Sequence, residues 1–182
     1  MKIINNFKIP EKYKKSAIAI GNFDGIHLGH QKVFKETKKF AMTKKIKFGV
    51  LTFNPLPLMF FNKNIKNFRL TSEEQKLKIF KKSKVDFVIN IKFNKKFSNI
   101  KAEEFIKKII CKKINAQLLA VSNNFKFGKN RKGDVSLLKK FSNQEDYFLL
   151  KIKPFNYLGK IVSSTKIRNL LKKGDITLVN KL

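Results

Sequence analysis

The residues best suited to chemistry fall in one ten-residue stretch, Gly21-Asn22-Phe23-Asp24-Gly25-Ile26-His27-Leu28-Gly29-His30. It holds both histidines of the chain and three of its eight glycines. Glycines permit tight turns and close backbone approach. A helix starting here aims free N–H groups and a partial positive charge at whatever lies before it, which suits a phosphate. Imidazoles at i and i+3 share one face of that first turn. As donors they match phosphate oxygens whose charge grows during a group transfer. The same residues also read as a turn carrying a surface histidine pair, or as half of a metal site, although no third His and no Cys lies nearby to complete a zinc set.

Three further segments carry donors or rings. Val162-Ser163-Ser164-Thr165-Lys166-Ile167-Arg168 places hydroxyls at a helix start, with a guanidinium about a turn later that can reach round to an anion; an ordinary N-cap needs the same residues. Asn124-Phe125-Lys126-Phe127-Gly128 with Arg131-Lys132-Gly133-Asp134 is a polar, Gly-containing loop, or a mobile surface loop whose phenylalanines fold back on the core. Leu51-Thr52-Phe53-Asn54-Pro55-Leu56-Pro57 ends a strand and runs into a flexible apolar stretch, Leu58 to Phe61. Exposed aromatics there can stack on a planar ring, though core anchoring is their commoner use.

The elements that must position these groups follow from hydrophobic period. Strands are expected at Ser16 to Gly21, Ile46 to Phe53, Asp86 to Ile91, Leu118 to Val121, Phe148 to Ile152 and Lys160 to Val162. Helices are expected from His27 to about Thr43, Thr71 to about Lys82, Ala102 to Lys113, Val135 to Phe141 capped by Asp134, Ser163 or Ser164 to Lys173, and Ile176 to Leu182. Thr71 followed by Glu74 reads as a capping box, and Gly174 as a C′ residue. Short apolar strands alternating with amphipathic helices predict an α/β fold with a mostly parallel sheet. Ligands in such sheets bind at the carboxyl ends of the strands, here the loops after Ile20, Phe53, Val121 and Val162.

Composition bounds the rest. A chain of 182 residues with 42% hydrophobic content has material for one core, and no interior linker or repeat divides it, so residues 1–182 read as a single domain. No apolar run approaches a membrane span, the N-terminus lacks the pattern of a signal peptide, and a single Cys111 cannot pair internally. The expectation is a soluble, cytoplasmic protein. A net charge of +30 points on its face to nucleic acid. Yet the basic set is 39 Lys against 3 Arg, and Lys, Ile, Phe and Asn, residues with A/T-rich codons, make up 96 of the 182 positions. The lysines are spread as a solvated coat, and a nucleic-acid surface is not expected. Against that background Arg69, Arg131 and Arg168 stand where a planar, bidentate guanidinium is needed.

GNFDGIHLGHQ resembles the HxGH signature of the nucleotidyltransferase superfamily. With RLTSEEQK, LTFNPLP, NFKFGKNRKGD and VSSTKIR it is similar, from about Ser16 to Leu182, to the FMN adenylyltransferase (FAD synthetase) module of prokaryotic bifunctional riboflavin kinase/FAD synthetases. The resemblance implies a Rossmann-like, mostly parallel sheet with helices on both faces, and the conversion of ATP and FMN, with Mg²⁺, to FAD and pyrophosphate. It implies that His27 and His30 hold ATP phosphates and stabilise charge at the α-phosphorus, with Asn124 on ATP or its metal. Ser163, Ser164, Thr165 and Arg168 would bind the phosphates or the leaving pyrophosphate. Gly21, Asn22, Phe23, Asp24 and Gly29 complete the ATP side; Asn54, Phe61, Phe125, Phe127 and Arg131 fall on the FMN side. No residue is assigned to the metal itself. The chain departs from the family at Asn54 and Leu56, usually Glu and His, and at Ser122, usually Gly. It stops where the bifunctional proteins continue into a kinase domain, so no riboflavin kinase activity is expected. The alternatives are a nucleotidyltransferase with another small-molecule acceptor and a basic nucleic-acid-binding module on the same fold.

Overall fold

The computed structural model describes residues 1–65 and 68–182. Its first half runs β1 (Lys2–Ile4), β2 (Ala17–Ile20), α1 (Leu28–Thr43), β3 (Phe48–Asn54), α2 (Pro57–Phe61), α3 (Glu73–Lys82) and β4 (Phe87–Lys92). Then come α4 (Lys95–Ser98), α5 (Ala102–Glu104, continuing as a π-helix over Phe105–Ile114), β5 (Leu118–Ser122), α6 (Val135–Ser142) and β6 (Phe148–Ile152). The chain closes with β7 (Asn156–Tyr157), β8 (Lys160–Ile161), α7 (Ser164–Lys172) and α8 (Ile176–Asn180).

Strands β1 to β6 form one sheet in the order β1-β4-β3-β2-β5-β6, and every pairing is parallel. The period of two sorts its side chains onto two buried faces, as a sheet covered on both sides requires. Ile18, Ile20, Leu51, Ile89, Leu119 and Val121 pack with α5 and α6 through Ile106, Ile110 and Leu138. Ala17, Ala19, Val50, Val88 and Ala120 pack on the other side with α1 and α3 through Val33, Phe34 and Phe80. Helices therefore cover both faces, as the resemblance implies.

The order of winding reverses at β2: β3 and β4 lie on one side of it, β5 and β6 on the other. The crevice between the carboxyl ends of β2 and β5 is the topological switch point, where open α/β sheets bind ligands. The stretch Gly21–His30 leaves β2 there, and the Asn124 loop leaves β5. A third, smaller cluster (Val162, Ile167 and Leu182 with Leu70, Leu170 and Leu178) seats α7 and α8 against the segment before α3.

Several expectations are corrected. Lys160 to Val162 is not a strand of the main sheet: Lys160–Ile161 pairs antiparallel with Asn156–Tyr157 in a separate hairpin. Leu58 to Phe61 is not an irregular continuation but part of α2, which Pro57 opens with its fixed φ. Lys2–Ile4 is an edge strand too short for a periodic signal. The helix from Ala102 loosens to π geometry after its first turn, and the last helix stops at Asn180. The capping box of α3 falls one residue later than Thr71 and Glu74. Ser72 accepts from Gln75 N at 3.1 Å, while the Gln75 side chain accepts from Ser72 N at 2.8 Å. Thr71 is diverted: its Oγ1 accepts from Gly25 N at 3.2 Å. Elsewhere the caps stand as read, with Asp134 on Leu137 N, Ser163 on Lys166 N, and Gly174 at a φ of 75°.

Replacing Ser72 by Ala removes one half of the box and should lower stability by about 1 kcal/mol. Urea denaturation checks this; a Glu74→Ala variant, outside the box, should shift the midpoint far less.

Candidate active site

The loop leaving β2 is held in a conformation that costs energy. Phe23 and Ile26 adopt φ of 48° and 38°, in the left-handed region that β-branched and bulky residues rarely enter, at about 1–3 kcal/mol each. Both side chains are buried, which offsets the strain: the Phe23 ring lies 4.8 Å from that of Phe34 and 6.0 Å from that of Phe80. Gly25, at φ 83°, has no room for a Cβ, which would meet Leu70 Cδ1 at 2.8 Å.

His27 is the N-cap of α1, and its carbonyl accepts from His30 N and Gln31 N at 2.8 and 3.0 Å. That turn stacks the two imidazoles, with ring centroids 3.7 Å apart and planes 21° from parallel. Gly29 makes the stack possible, because a Cβ there would lie 3.1 Å from the His27 ring. The Nδ1 atoms of both histidines are buried without a hydrogen-bond partner among the described residues. Burial pushes His27 down to about 4 from an ordinary 6.5, against a smaller upward pull from Asp24. It pushes His30 well below the ordinary range too, and the neighbouring His27 adds to the effect. Both rings are therefore neutral at pH 7. Each keeps one N–H donor, and an anion arriving at the crevice would favour their protonated forms.

Asp24 ties this loop to the other segments. Its buried carboxylate accepts from Leu70 N at 2.9 Å, from Thr71 N at 3.3 Å and from Arg168 Nη2, and its backbone carbonyl accepts from Ser164 Oγ at 2.8 Å. Arg168 also donates through Nε to Phe68 O at 2.8 Å and lies 3.7 Å over the Phe68 ring. An ammonium could not make two directed bonds and a stack at once. Ser163 caps α7 and Thr165 is exposed. The structure thus brings together Asp24, His27, Gly29, His30, Ser163, Ser164, Thr165 and Arg168.

Behind the loop runs a polar network that reading by motif missed. Lys76 is 2% exposed, and its Nζ lies 3.4 Å from both Thr52 Oγ1 and Glu73 Oε2. Thr52 Oγ1 in turn donates to Asn22 O at 3.2 Å, so a buried cation braces the backbone of the exposed Asn22. Burial lowers the Lys76 pKa, and Glu73 counters it. Glu73 also takes Asn90 Nδ2 at 2.8 Å and Arg69 Nη1 at 3.2 Å, and Arg69 Nη2 donates to Asn54 Oδ1. Among 39 lysines Lys76 does not stand out by type. Its place three residues after Glu73 and four before the buried Phe80 put it on the inner face of α3.

The remaining expected residues are not gathered at the histidines. Asn54 ends β3 at the cis Asn54–Pro55 peptide and Phe61 ends α2; Phe61 is exposed and Leu56 is buried. Phe125 and Phe127 fold back onto the core, their rings stacked on each other at 5.4 Å and the Phe127 ring tilted against that of Phe105 at 5.5 Å. The loop is anchored, not loose, since Lys129 N donates to Ile100 O at 2.7 Å. Asn124 is exposed and accepts from Ser122 Oγ at 2.8 Å; Arg131 is exposed. Among the described residues no group of three His, Cys, Asp or Glu is placed to hold a metal, and no helix is long and apolar enough to cross a membrane.

A doubly wound parallel sheet with stacked histidines and a hydroxyl-rich helix start at its strand ends defines a nucleotide-binding α/β domain of the HxGH kind. The family model described as FAD synthetase matches residues 9–166, and the chain belongs to that family. A bifunctional riboflavin kinase/FMN adenylyltransferase of Buchnera aphidicola subsp. Schizaphis graminum (strain Sg) is 39% identical over 184 residues, 100% of this chain and 59% of the relative. Its counterpart in Escherichia coli (strain K12) is 30% identical over 165 residues, 91% of this chain and 53% of the relative. The chain thus spans between 53% and 59% of the length of these two curated relatives. Two solved structures share the fold. A protein from Streptococcus pneumoniae described as a macrolide-efflux protein superposes with a TM-score of 0.83 at 24% identity, over 100% of this chain and 60% of its own. Pantoate-beta-alanine ligase from Francisella tularensis superposes with a TM-score of 0.62 at 16% identity, over 100% of this chain and 77% of its own.

Removing one partner of the buried Asp24–Arg168 pair leaves the other uncompensated. Asp24→Asn and Arg168→Met should each cost about 3 kcal/mol in urea denaturation, with a double-mutant cycle showing strong coupling. The histidines set a pH dependence. With folded values below the unfolded one, the unfolded chain takes protons first, so their contribution is intact above about pH 6.5 and lost as pH falls toward 4. Stability should fall through that window, by up to about 1.4 kcal/mol per pH unit per histidine, and the melting temperature with it. A His27→Gln/His30→Gln variant should show a shallower fall.

Proposed function

We propose that this chain is an FMN adenylyltransferase, moving the adenylyl group of ATP onto the phosphate of FMN to give FAD and pyrophosphate. The observation that carries the reading is the pair of neutral, stacked imidazoles at the start of α1, tied through Asp24 to the Ser163–Arg168 turn of α7. A phosphate oxygen of FMN bonds to the α-phosphorus of ATP as the bond from that phosphorus to the pyrophosphate oxygen breaks. The nucleophile is already an anion, so positioning and charge stabilisation suffice and no general base is needed.

His27 and His30 donate to oxygens of the transferring phosphoryl group, and growing negative charge there raises their proton affinity when it helps most. Thr165, the first N–H groups of α7 and the uncommitted Nη1 of Arg168 receive the β- and γ-phosphates, with Ser163 and Ser164 fixing that turn. The backbone of Gly21, Asn22 and Phe23 lines the ATP side, and Asn124 meets ATP or its metal from the β5 side. Asn54 and Phe61 serve the flavin side, with Phe125, Phe127 and Arg131 shaping its far wall. Mg²⁺ would be carried by the triphosphate, where it would screen the phosphate charge. The +30 charge draws both anionic substrates toward the crevice, in a cytoplasmic protein with no nucleic-acid role.

The purified chain, given FMN, ATP and Mg²⁺, should produce FAD on chromatography and none when riboflavin replaces FMN. His30→Ala should cut turnover by about a hundredfold or more with its far-UV spectrum unchanged. FMN and ATP returned unchanged by the parent chain would sink the reading.

A further inference from the structure

Among the described residues Lys76 is the one lysine that the fold buries, and its acidic partner does not account for that burial. Glu73, 3.4 Å away, also takes Asn90 Nδ2 at 2.8 Å and Arg69 Nη1 at 3.2 Å, so its carboxylate is supplied with donors without a third. Desolvating an ammonium is costly, and an apolar side chain of similar volume often serves stability as well or better. What the ammonium supplies that an apolar group cannot is direction. It can only donate, so at 3.4 Å from Thr52 Oγ1 it makes that oxygen an acceptor, and the single hydroxyl proton goes to Asn22 O at 3.2 Å. Thr52 is fully buried and shares a sheet face with Val50, the face that α3 covers.

The relay ends at the residue where the sheet gives out. Gly21 N makes the last ladder bond of β2, to Leu51 O at 3.1 Å, so the Asn22 carbonyl lacks a strand partner and depends on the Thr52 hydroxyl. In a planar trans peptide the C=O and N–H point opposite ways. With the Asn22 carbonyl turned inward to Thr52, the Phe23 N–H points outward, and no acceptor among the described residues takes it. The same peptide leads into the φ of 48° at Phe23. Hydrogen bonds in a row polarise one another, and the first donor here is a cation. Its charge is thereby passed through Thr52 and the peptide to a backbone N–H at the crevice. Building on the adenylyltransferase reading, we propose that Lys76 is a positioning residue for adenylyl transfer, acting through Thr52 to orient and polarise the Asn22–Phe23 peptide on the ATP side. Being buried, it touches no substrate itself.

The test compares the full chain with its Lys76→Met, Thr52→Val and Thr52→Ser variants, their folding checked by far-UV spectra and urea denaturation. In the FAD-forming assay Lys76→Met and Thr52→Val should each lower kcat about tenfold or more with the KM for FMN unchanged. Thr52→Ser keeps the hydroxyl and should stay close to the parent. The double variant Lys76→Met/Thr52→Val should lose no more than the worse single one, since either change breaks the relay. Losses that add in the double variant, as for a lysine serving only as counter-ion to Glu73, would overturn the proposal; so would a parental kcat in either single variant. Should Lys76→Met not fold, the contrast between Thr52→Val and Thr52→Ser decides. A second readout needs no turnover. The Asn22 carbonyl ¹³C resonance should move upfield in Lys76→Met and Thr52→Val and hold its place in Thr52→Ser, and an unmoved resonance in the first two overturns the relay. Absence of FAD from the parent chain overturns the adenylyltransferase reading and this role with it, whereas variants forming FAD at the parental kcat overturn this role alone.

Discussion

The buried ion pair between Asp24 and Arg168 is the constraint on which the site depends. It joins residues 144 apart in sequence, and the same carboxylate holds the backbone of Leu70 and Thr71, 46 and 47 residues away. Taking a carboxylate and a guanidinium out of water is expensive, and it is tolerated only when the remaining hydrogen-bonding groups are satisfied. Here the satisfaction is thorough. Two backbone donors and the guanidinium fill the carboxylate, and Arg168 is held further by a carbonyl at Nε and by an aromatic face, with Nη1 left over. Because the pair is costly unless complete, the loop after β2, the segment before α3 and the first turns of α7 must take their places together.

That cooperativity explains how the loop can hold Phe23 and Ile26 at positive φ. Strain of this kind persists only where the surroundings over-determine it. Two buried anchors on one side, Asp24 on the other and the Lys76–Thr52–Asn22 brace beneath leave the backbone few alternatives. The result is that His27 and His30 emerge stacked and desolvated. Burial keeps them neutral, which removes the repulsion that two imidazolium rings 3.7 Å apart would suffer. The strained loop and the unusual proton affinity are thus two effects of one packing arrangement.

What could be read directly from the sequence were features set by neighbours in the chain. The strand before Gly21, the paired histidines, the Asp134 and Ser163 caps and the Gly174 stop all rest on residues a few positions apart. The misreadings occur where a distant partner outbids a local one. Thr71 has the sequence of an N-cap, but Gly25 claims its hydroxyl and Ser72 takes the cap. Lys160 to Val162 has strand composition, but β6 ends the sheet, and these residues find a hairpin partner in Asn156–Tyr157 instead. Lys76 looks like any of its fellow lysines until α3 is laid against β3. Phe125 and Phe127 had two readings open, and contact with Phe105, some twenty residues upstream, decides for packing.

The rarity argument applies to acids more forcefully than to arginines. In a chain with 42 basic and 12 acidic residues, a solvated carboxylate has no shortage of cations, so an acid kept inside must answer to geometry. Asp24 and Glu73 each gather three donors, Asp24 from the segment before α3 and from α7, Glu73 from its own helix, the segment before it and β4. Asp86 accepts from Phe48 N at 2.9 Å where β3 begins, and Asp134 and Asp175 cap α6 and α8. For Asp134, the bond from Leu137 N leads the effects that hold its pKa below the usual range. A lysine coat drifts with little consequence, since exposed ion pairs contribute little. Asp24, Glu73, Asp86, Asp134 and Asp175 are the carboxylates whose loss would leave a backbone N–H or a buried cation unpaired, and Asp24 and Glu73 mark the joints of the site more faithfully than the abundant positive charge does.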